Sequence, residues 1–352
     1  MTEIAKPKRR RRRFTLFGGG LIGVLLIALG VTWWVARGEV ASALAETQRN
    51  LAADGVRLDH QGLAFSGFPL QLEASLARPS LVWADGRWEG PAEVTGGAWL
   101  NDPFLLRFTG PGSNRLQLGP LTLELESRSA EAVANLGERG LDNLTLAIED
   151  ATLRFPDSGA QADLTKLDAE VGPLQPLRDA QDSTSFAVLL DRLTLPAAAV
   201  AGLPGLGREL KVLQIYGDLT GPLVPGPAAA VAQIWRQGDG VLDLTQVVLD
   251  WGDLQLEASG RLTLDGGLRP VGTLAVQIAG LPNLLQDLAD SGHIKPGVAR
   301  TYSGLLSGLA QPREGRAGRW IGLPLVLRDG QAFLKLPLTQ IPLARVPPLF
   351  QT

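Results

Sequence analysis

The stretch "LQLEASGRLTLDGGLRPVGTLAVQIAG", residues 254–280, alternates apolar and polar residues for nearly its whole length. Successive side chains of an extended strand point to opposite faces, so a period of two commits the segment to half-buried β-structure rather than an amphipathic helix. Leu254, Leu256, Leu262, Leu264, Leu274, Val276 and Ile278 fall on the apolar phases, and Gln255, Glu257, Arg261, Thr263, Thr273 and Gln277 on the other. The pattern recurs from Val56 onward, in "LAFSGFPLQLEASL", "LQLGPLTLELES", "LTLAIEDATLRF" and "LDLTQVVLDWGDLQLEAS". Between such runs stand Asp85-Gly86, Gly252-Asp253, Asp265-Gly266 and Asp329-Gly330, pairs that suit tight hairpins. The expected fold is therefore mainly β, with antiparallel strands forming an open groove or a sandwich.

Helices are expected to be few and short. They are placed at 129–136, in the alanine-rich "PAAAVAG" and "PGPAAAVAQIWRQ", and as an amphipathic pair at about 281–310 with Leu281, Leu284, Leu285 and Leu288 on one stripe. The proline- and glycine-rich "GPLVPGPAAA" at 221–230 divides the body into two β halves, 56–220 and 221–352.

The N-terminal region reads differently. A basic leader, 1–13, carries Lys6, Lys8 and five consecutive arginines, Arg9 to Arg13, against Glu3 alone. It is followed by the uncharged segment 14–36, which ends near Trp33 and Trp34. At 1.5 Å per residue those 23 residues reach about 34 Å, enough for a hydrocarbon core of roughly 30 Å. Arginines are retained on the cytoplasmic side and indoles settle at the interface. The segment thus reads as a transmembrane helix with Arg12, Arg13, Trp33 and Trp34 at the membrane interface. The expected location is a bacterial inner membrane, single-pass, with the N-terminus cytoplasmic and the body periplasmic. "ASALA" at 41–45 offers small-residue cleavage sites, so a cleaved leader stays open as an alternative. Helix formers continue through 37–55 as a helical stalk that stops at Gly55. Beyond the leader, 26 of the 33 basic residues face 35 of the 36 acidic ones, so the body is acidic while the leader is basic. The arginines sit where anionic lipid neutralises them, which argues against a nucleic-acid partner.

Each catalytic template lacks a part. There is no cysteine, and the two histidines are His60 and His293. A serine triad needs a histidine beside an exposed serine, and no G-x-S-x-G elbow is present. Two histidines without cysteine cannot make a typical zinc site, so no metal is expected. "GLPGLG" at 202–207 lacks the lysine of a phosphate loop and the strand that precedes one, and no cofactor is expected. Glu124 and Glu126 share one phase of a strand, the usual signature of a solvated face; a glycosidase pair leaves no sequence signature of its own. The eight tryptophans, Trp235 and Trp251 among them, suit core or interface positions. The chain is not expected to be an enzyme.

"FSGFPLQLEASLARPSLVW", "AWLNDPFLLRFTGPG", "IWRQGDGVLDLTQVVLDWGDLQLEASGRL" and the closing "LPLVLRDGQAFLKLPLTQIPLARVPPL" resemble, from Leu58 to Leu349, the domain of unknown function 2125, an uncharacterised and mainly alphaproteobacterial family. The Gly67-Phe68-Pro69 turn, Trp251-Gly252 with the strand pair after it, and the Asp329-Gly330 hairpin carry the likeness. That resemblance implies topology and no activity. More remotely, G-x-L-x-L-D-G-G-L-x-P-x-G-x-L is similar to the β-rich periplasmic regions of AsmA-like proteins. This second resemblance implies an N-terminal membrane anchor and an association with lipid movement between envelope membranes. Together they give the functional expectation of an apolar ligand, a membrane phospholipid, bound or shielded on the face carrying Leu254 to Ile278. The alternative is a structural or adaptor module with an envelope protein as partner. Alternation alone leaves open whether that face is a ligand groove or a closed core.

Overall fold

The structure is a computed structural model that describes residues 10–53, 55–137, 140–173, 183–201, 205–223, 228–316, 318–335 and 340–345, without the side chains of 10–28, 140, 228 and 340–345. Among the described residues all strands belong to one sheet and every pairing in it is antiparallel, so these strands form one sheet and not the two of a sandwich. The sheet is a meander in chain order, and its first four rungs are broken in two. β1 (Arg57–Asp59) and β2 (Gly62–Ser66) make the first rung, followed by β3 (Gln71–Ala77) with β4 (Ser80–Trp83), β5 (Gly86–Glu89) with β6 (Glu93–Trp99), and β7 (Asp102–Thr109) with β8 (Gly112–Leu118). The upper pieces β1, β4, β5 and β8 pair with one another, as do the lower pieces β2, β3, β6 and β7. Both series meet on β9 (Leu121–Gly137), which pairs with β8 along one half and β7 along the other.

From there single long strands follow: β10 (Gly140–Phe155), β11 (Ala160–Gly172), β12 (Ser183–Thr194), β13 (Glu209–Thr220), β14 (Val241–Trp251), β15 (Leu254–Leu264) and β16 (Pro270–Ala279). β17 (Gln311–Pro312) and β19 (Gln331–Lys335) both flank β18 (Arg319–Arg328), which pairs with β16, and β20 (Gln340–Arg345) closes the series. The Asp-Gly and Gly-Asp pairs stand at hairpins as expected: Trp83 pairs with Gly86, Trp251 with Leu254 and Arg328 with Gln331. The sheet does not break at 221–230, because β13 and β14 pair across it from Leu210–Trp251 to Thr220–Val241.

Among the described residues five helices accompany the sheet: α1 (Arg10–Ala53), α2 (Ala197–Val200), α3 (Ala228–Gln237), α4 (Leu281–Asp290) and α5 (Pro296–Leu309). The 129–136 helix is a correction. Those residues are the second half of β9, with Ala130, Ala132 and Ala134 opposite Ile148, Leu146 and Leu144. Alanine prefers a helix by a few tenths of a kcal/mol over most residues, and a ladder paired on both edges outweighs that preference. α1 runs on through 37–53, and this part lies against β1 and β3. Among the described residues no helix is long and apolar enough to cross a membrane. The leader 1–9 and the side chains of 14–28, the greater part of the expected span, lie outside the described residues.

A kink line crosses the sheet. Arg128 and Asp150 face each other without a ladder pair, as do Asp150 and Thr165, Thr165 and Arg192, and Arg192 and Lys211. Asp150 and Arg192 have left-handed backbones, φ 47° and 56°, and Arg78 at 44° marks the same break between β3 and β4. The kink shifts the alternation by one residue, so Leu144, Leu146 and Ile148 share a face with Ala151 and Leu153. Irregularities of this kind bend a sheet and raise its twist.

Candidate functional site

Residues paired directly across strands lie on the same face. Following the pairs from one strand to the next gives a row that runs Phe65, Ala74, Gly96, Phe108, Ala132, Leu146, Ala169, Val188, Ile215, Val247, Ala258, Val276, Leu323. Every member is apolar. At about 4.8 Å per strand the row extends roughly 60 Å along the sheet. A second row, Ile148, Leu167, Leu190, Leu213, Leu249, Leu256, Ile278 and Ile321, runs beside it. The opposite face is polar and carries exposed ion pairs, among them Arg107–Glu131 at 2.9 Å and Arg261–Asp243 at 2.8 Å.

α1, α3, α4 and α5 lie on the apolar face, α1 at its N-terminal end and α4 and α5 at its C-terminal end. At the C-terminal end Leu306 and Ala310 pack with Ile321, Leu323 and Leu334, and Leu281, Leu285 and Tyr302 lie against them. Next to this, Ala258, Val276 and Ile278 form a buried cluster with Leu254, Leu256, Leu274 and Leu281. The expected ligand face is thereby divided: Val276 and Ile278 are sealed beneath α4, while Leu262 and Leu264 line a cavity of about 360 Å³ under Val231, Ala232 and Trp235 of α3. In the middle, Ile148, Ala151 and Leu164 cluster with Leu125, Leu153, Leu167, Leu190 and Leu193, all of them strand residues. Leu146 in that middle region is 36% exposed.

At the N-terminal end a second apolar cavity of about 410 Å³ separates α1 from the sheet. Ala36, Val40 and Leu44 form its helix wall, and Leu72, Ala74, Leu76, Val94, Gly96 and Phe108 its floor. The volume follows from small side chains: Ala74 pairs with Gly96, and Phe108 lies across Gly96 so closely that an added Cβ would sit 2.6 Å from the ring. α1 is fixed by the Trp33 indole N–H, which donates to the Gln71 carbonyl at 3.1 Å, by an edge-on contact of Trp33 with Phe68, and by Arg37 over the Phe65 ring. Trp34 is 70% exposed, and the side chains of Arg12 and Arg13 lie outside the described residues.

Against this geometry, one family model matches the chain, over residues 33–342: the uncharacterized protein conserved in bacteria, DUF2125. The chain belongs to this family. No curated protein and no solved structure matches it.

The polar groups of this DUF2125 protein are dispersed. His293 shares a hydrogen bond of 3.0 Å with the Ser291 hydroxyl, and the buried His60 Nδ1 has no partner. Among the described residues no three His, Cys, Asp or Glu side chains are grouped to hold a metal ion. Glu124 and Glu126 pair with Arg115 and Arg154 on the outer face. Glu257 is held by Arg313 at 2.6 Å and also pairs with Arg316. Lys166 is raised above its ordinary value, chiefly by its hydrogen bond to Asp168 and by that carboxylate's charge. Among the described residues the most continuous feature is the apolar face. Sequence reasoning missed the α1 cavity; the signal for it was the set of small residues, Ala74, Gly96 and Ala98, on an apolar phase where larger ones are usual.

Proposed function

We propose that this protein is a single-pass inner-membrane protein with a cytoplasmic N-terminus and a periplasmic body, and that the body binds or shields the acyl chains of phospholipid on its apolar face. The carrying observation is the uninterrupted apolar row from Phe65 to Leu323, left without helix cover among the described residues around Leu146 and Leu190. Burial of each methylene is worth about 0.8 kcal/mol, so ten of them give about 8 kcal/mol, within the association cost on the order of 4–15 kcal/mol, and a long face that takes more of the chain binds more firmly. The uncharged segment 14–36, within α1, supports the anchor. The test is mass spectrometry of lipid that copurifies with the full chain, beside the double variant Leu146→Gln and Val188→Gln. Phospholipid carried by the wild type and lost by a still-folded variant supports the reading. A wild type without lipid turns it toward the structural or adaptor role with an envelope protein partner.

A further inference from the structure

Resting on the anchor reading above, we infer that the hairpin tips beside α1 form a rim that docks on the outer leaflet of the same bilayer and seats the mouth of the α1 cavity there. α1 runs along the first rungs with a definite polarity. Trp33 is bonded at Gln71, next to the β2–β3 tip, whereas Gln48 donates to the Leu58 carbonyl at the other end of that rung. The helix therefore leaves the sheet past the tips, in the direction of segment 14–36.

At that end the exposed large apolar side chains gather. Phe68 and Leu70 stand on the β2–β3 tip, Trp99 and Phe104 flank the β6–β7 tip, and Trp34 projects from the helix; Phe104 is 63% exposed and Leu70 57%. The two tips are tied together, because the Leu100 N–H donates to the Leu70 carbonyl at 2.9 Å. Contiguous exposed apolar surface marks an interaction site, and ring side chains favour the interface between headgroups and acyl chains. The occupant of this rim is a bilayer, because the apolar segment on the same helix delivers the rim to it. Arg37, just past that segment, holds its guanidinium over the Phe65 ring at 5.1 Å, which places a cation beside the rim at headgroup height. Trp99, Leu100 and Pro103 belong both to the rim and to the cavity lining, so an acyl chain passes from leaflet to cavity without crossing water.

The chain has no cysteine, so single cysteines accept one label each. The full chain is placed in nanodiscs of phosphatidylethanolamine and phosphatidylglycerol that contain a lipid spin-labelled near the headgroup and, in a parallel preparation, one spin-labelled deep in the acyl chain, which reads position 25. An environment-sensitive fluorophore is attached in turn at Leu70→Cys, Phe104→Cys, Ser158→Cys on the opposite edge of the sheet, and Leu25→Cys in the expected span. Docking to a depth of about 5–10 Å gives quenching at positions 70 and 104 several-fold above position 158. Quenching at 25 with 70 and 104 no different from 158 overturns the rim and leaves the anchor standing. A position 25 that stays unquenched overturns the anchor and the rim with it.

Discussion

The middle and the C-terminal end of the apolar face share one alternation and end up in different environments. Around Ile321 the face is sealed: Ile321 is 1% exposed and Leu306 of α5 2%, and Leu323 and Leu334 complete the cluster. Around Leu146 and Leu190 the same kind of residue, in the same rows, has strand neighbours alone: Ile148 is buried, Leu190 half-buried and Leu146 exposed. The strands do not differ in pattern, so the difference comes from α4 and α5, which follow β16 in the chain and fold back over it. An amphipathic sheet thus buries part of this face among its own strands, as at Ile148, Ala151 and Leu164, and α4 and α5 seal it further at the C-terminal end.

The largest effect should separate the two regions. Ile321→Asp buries a charge with no partner, which costs several kcal/mol against a total stability of about 5–15 kcal/mol. Leu190→Asp places the same charge on a surface that water reaches. Thermal unfolding of the full chain in detergent should lose its cooperative transition for the first variant and keep it for the second. Loss in both would mean that the middle is as closed as the end.

Leu306→Ala probes the cover itself. Truncating a fully buried leucine costs about 2–5 kcal/mol. The same truncation at Leu146 should cost about 1 kcal/mol or less, since much of that side chain already meets solvent. Denaturant midpoints of the two variants compare them directly, and equal losses would erase the distinction between end and middle.

Much of this was legible in the sequence, and the rest was not for identifiable reasons. Period-two alternation gave strands, and the Asp-Gly and Gly-Asp pairs gave hairpins, because both signals are local. The leucine stripe of 281–310 marked α4 and α5, yet which strands they cover depends on pairing between β16 and β18, forty residues apart in places. The alanines of 129–136 read as helix because propensity is local while the ladder that overrides it is not. The kink line was written in the sequence as a phase slip: Leu146 and Ile148 are followed by Ala151 and Leu153, and Leu190 by Leu193. The α1 cavity stayed hidden, since small residues on a strand announce space only once the opposing helix is known.

The kink offers a smaller effect that belongs to the middle alone. Arg192 holds φ at 56° on an exposed position, where an L side chain crowds its own carbonyl and glycine does not. Arg192→Gly should stabilise the fold by roughly 1 kcal/mol or less, after allowance for the looser unfolded chain, while Arg192→Val should destabilise it by about as much or more, both read from denaturant midpoints. If the valine variant is neutral, the left-handed backbone does not constrain the shift of phase that keeps Leu190 and Leu193 on one face.

The smallest effect concerns the outer face of the same middle region. Lys166 titrates above its ordinary 10.5 because Asp168 accepts a hydrogen bond from its ammonium and lends its charge, with Glu149 and Asp191 adding to the field. A folded-state value raised above the unfolded one means that the contribution is complete below about pH 10.5 and fades as pH rises through the folded value. Asp168→Asn should bring the Lys166 titration, followed by NMR of the side-chain carbon next to the amine, back toward its ordinary position, and should leave the unfolding midpoint at neutral pH nearly where it was. The pair is exposed and solvent screens it, so a large drop in that midpoint would show that the middle of the sheet depends on its polar face, and that the apolar face is less self-sufficient there than the strand-only cluster of Ile148, Ala151 and Leu164 indicates.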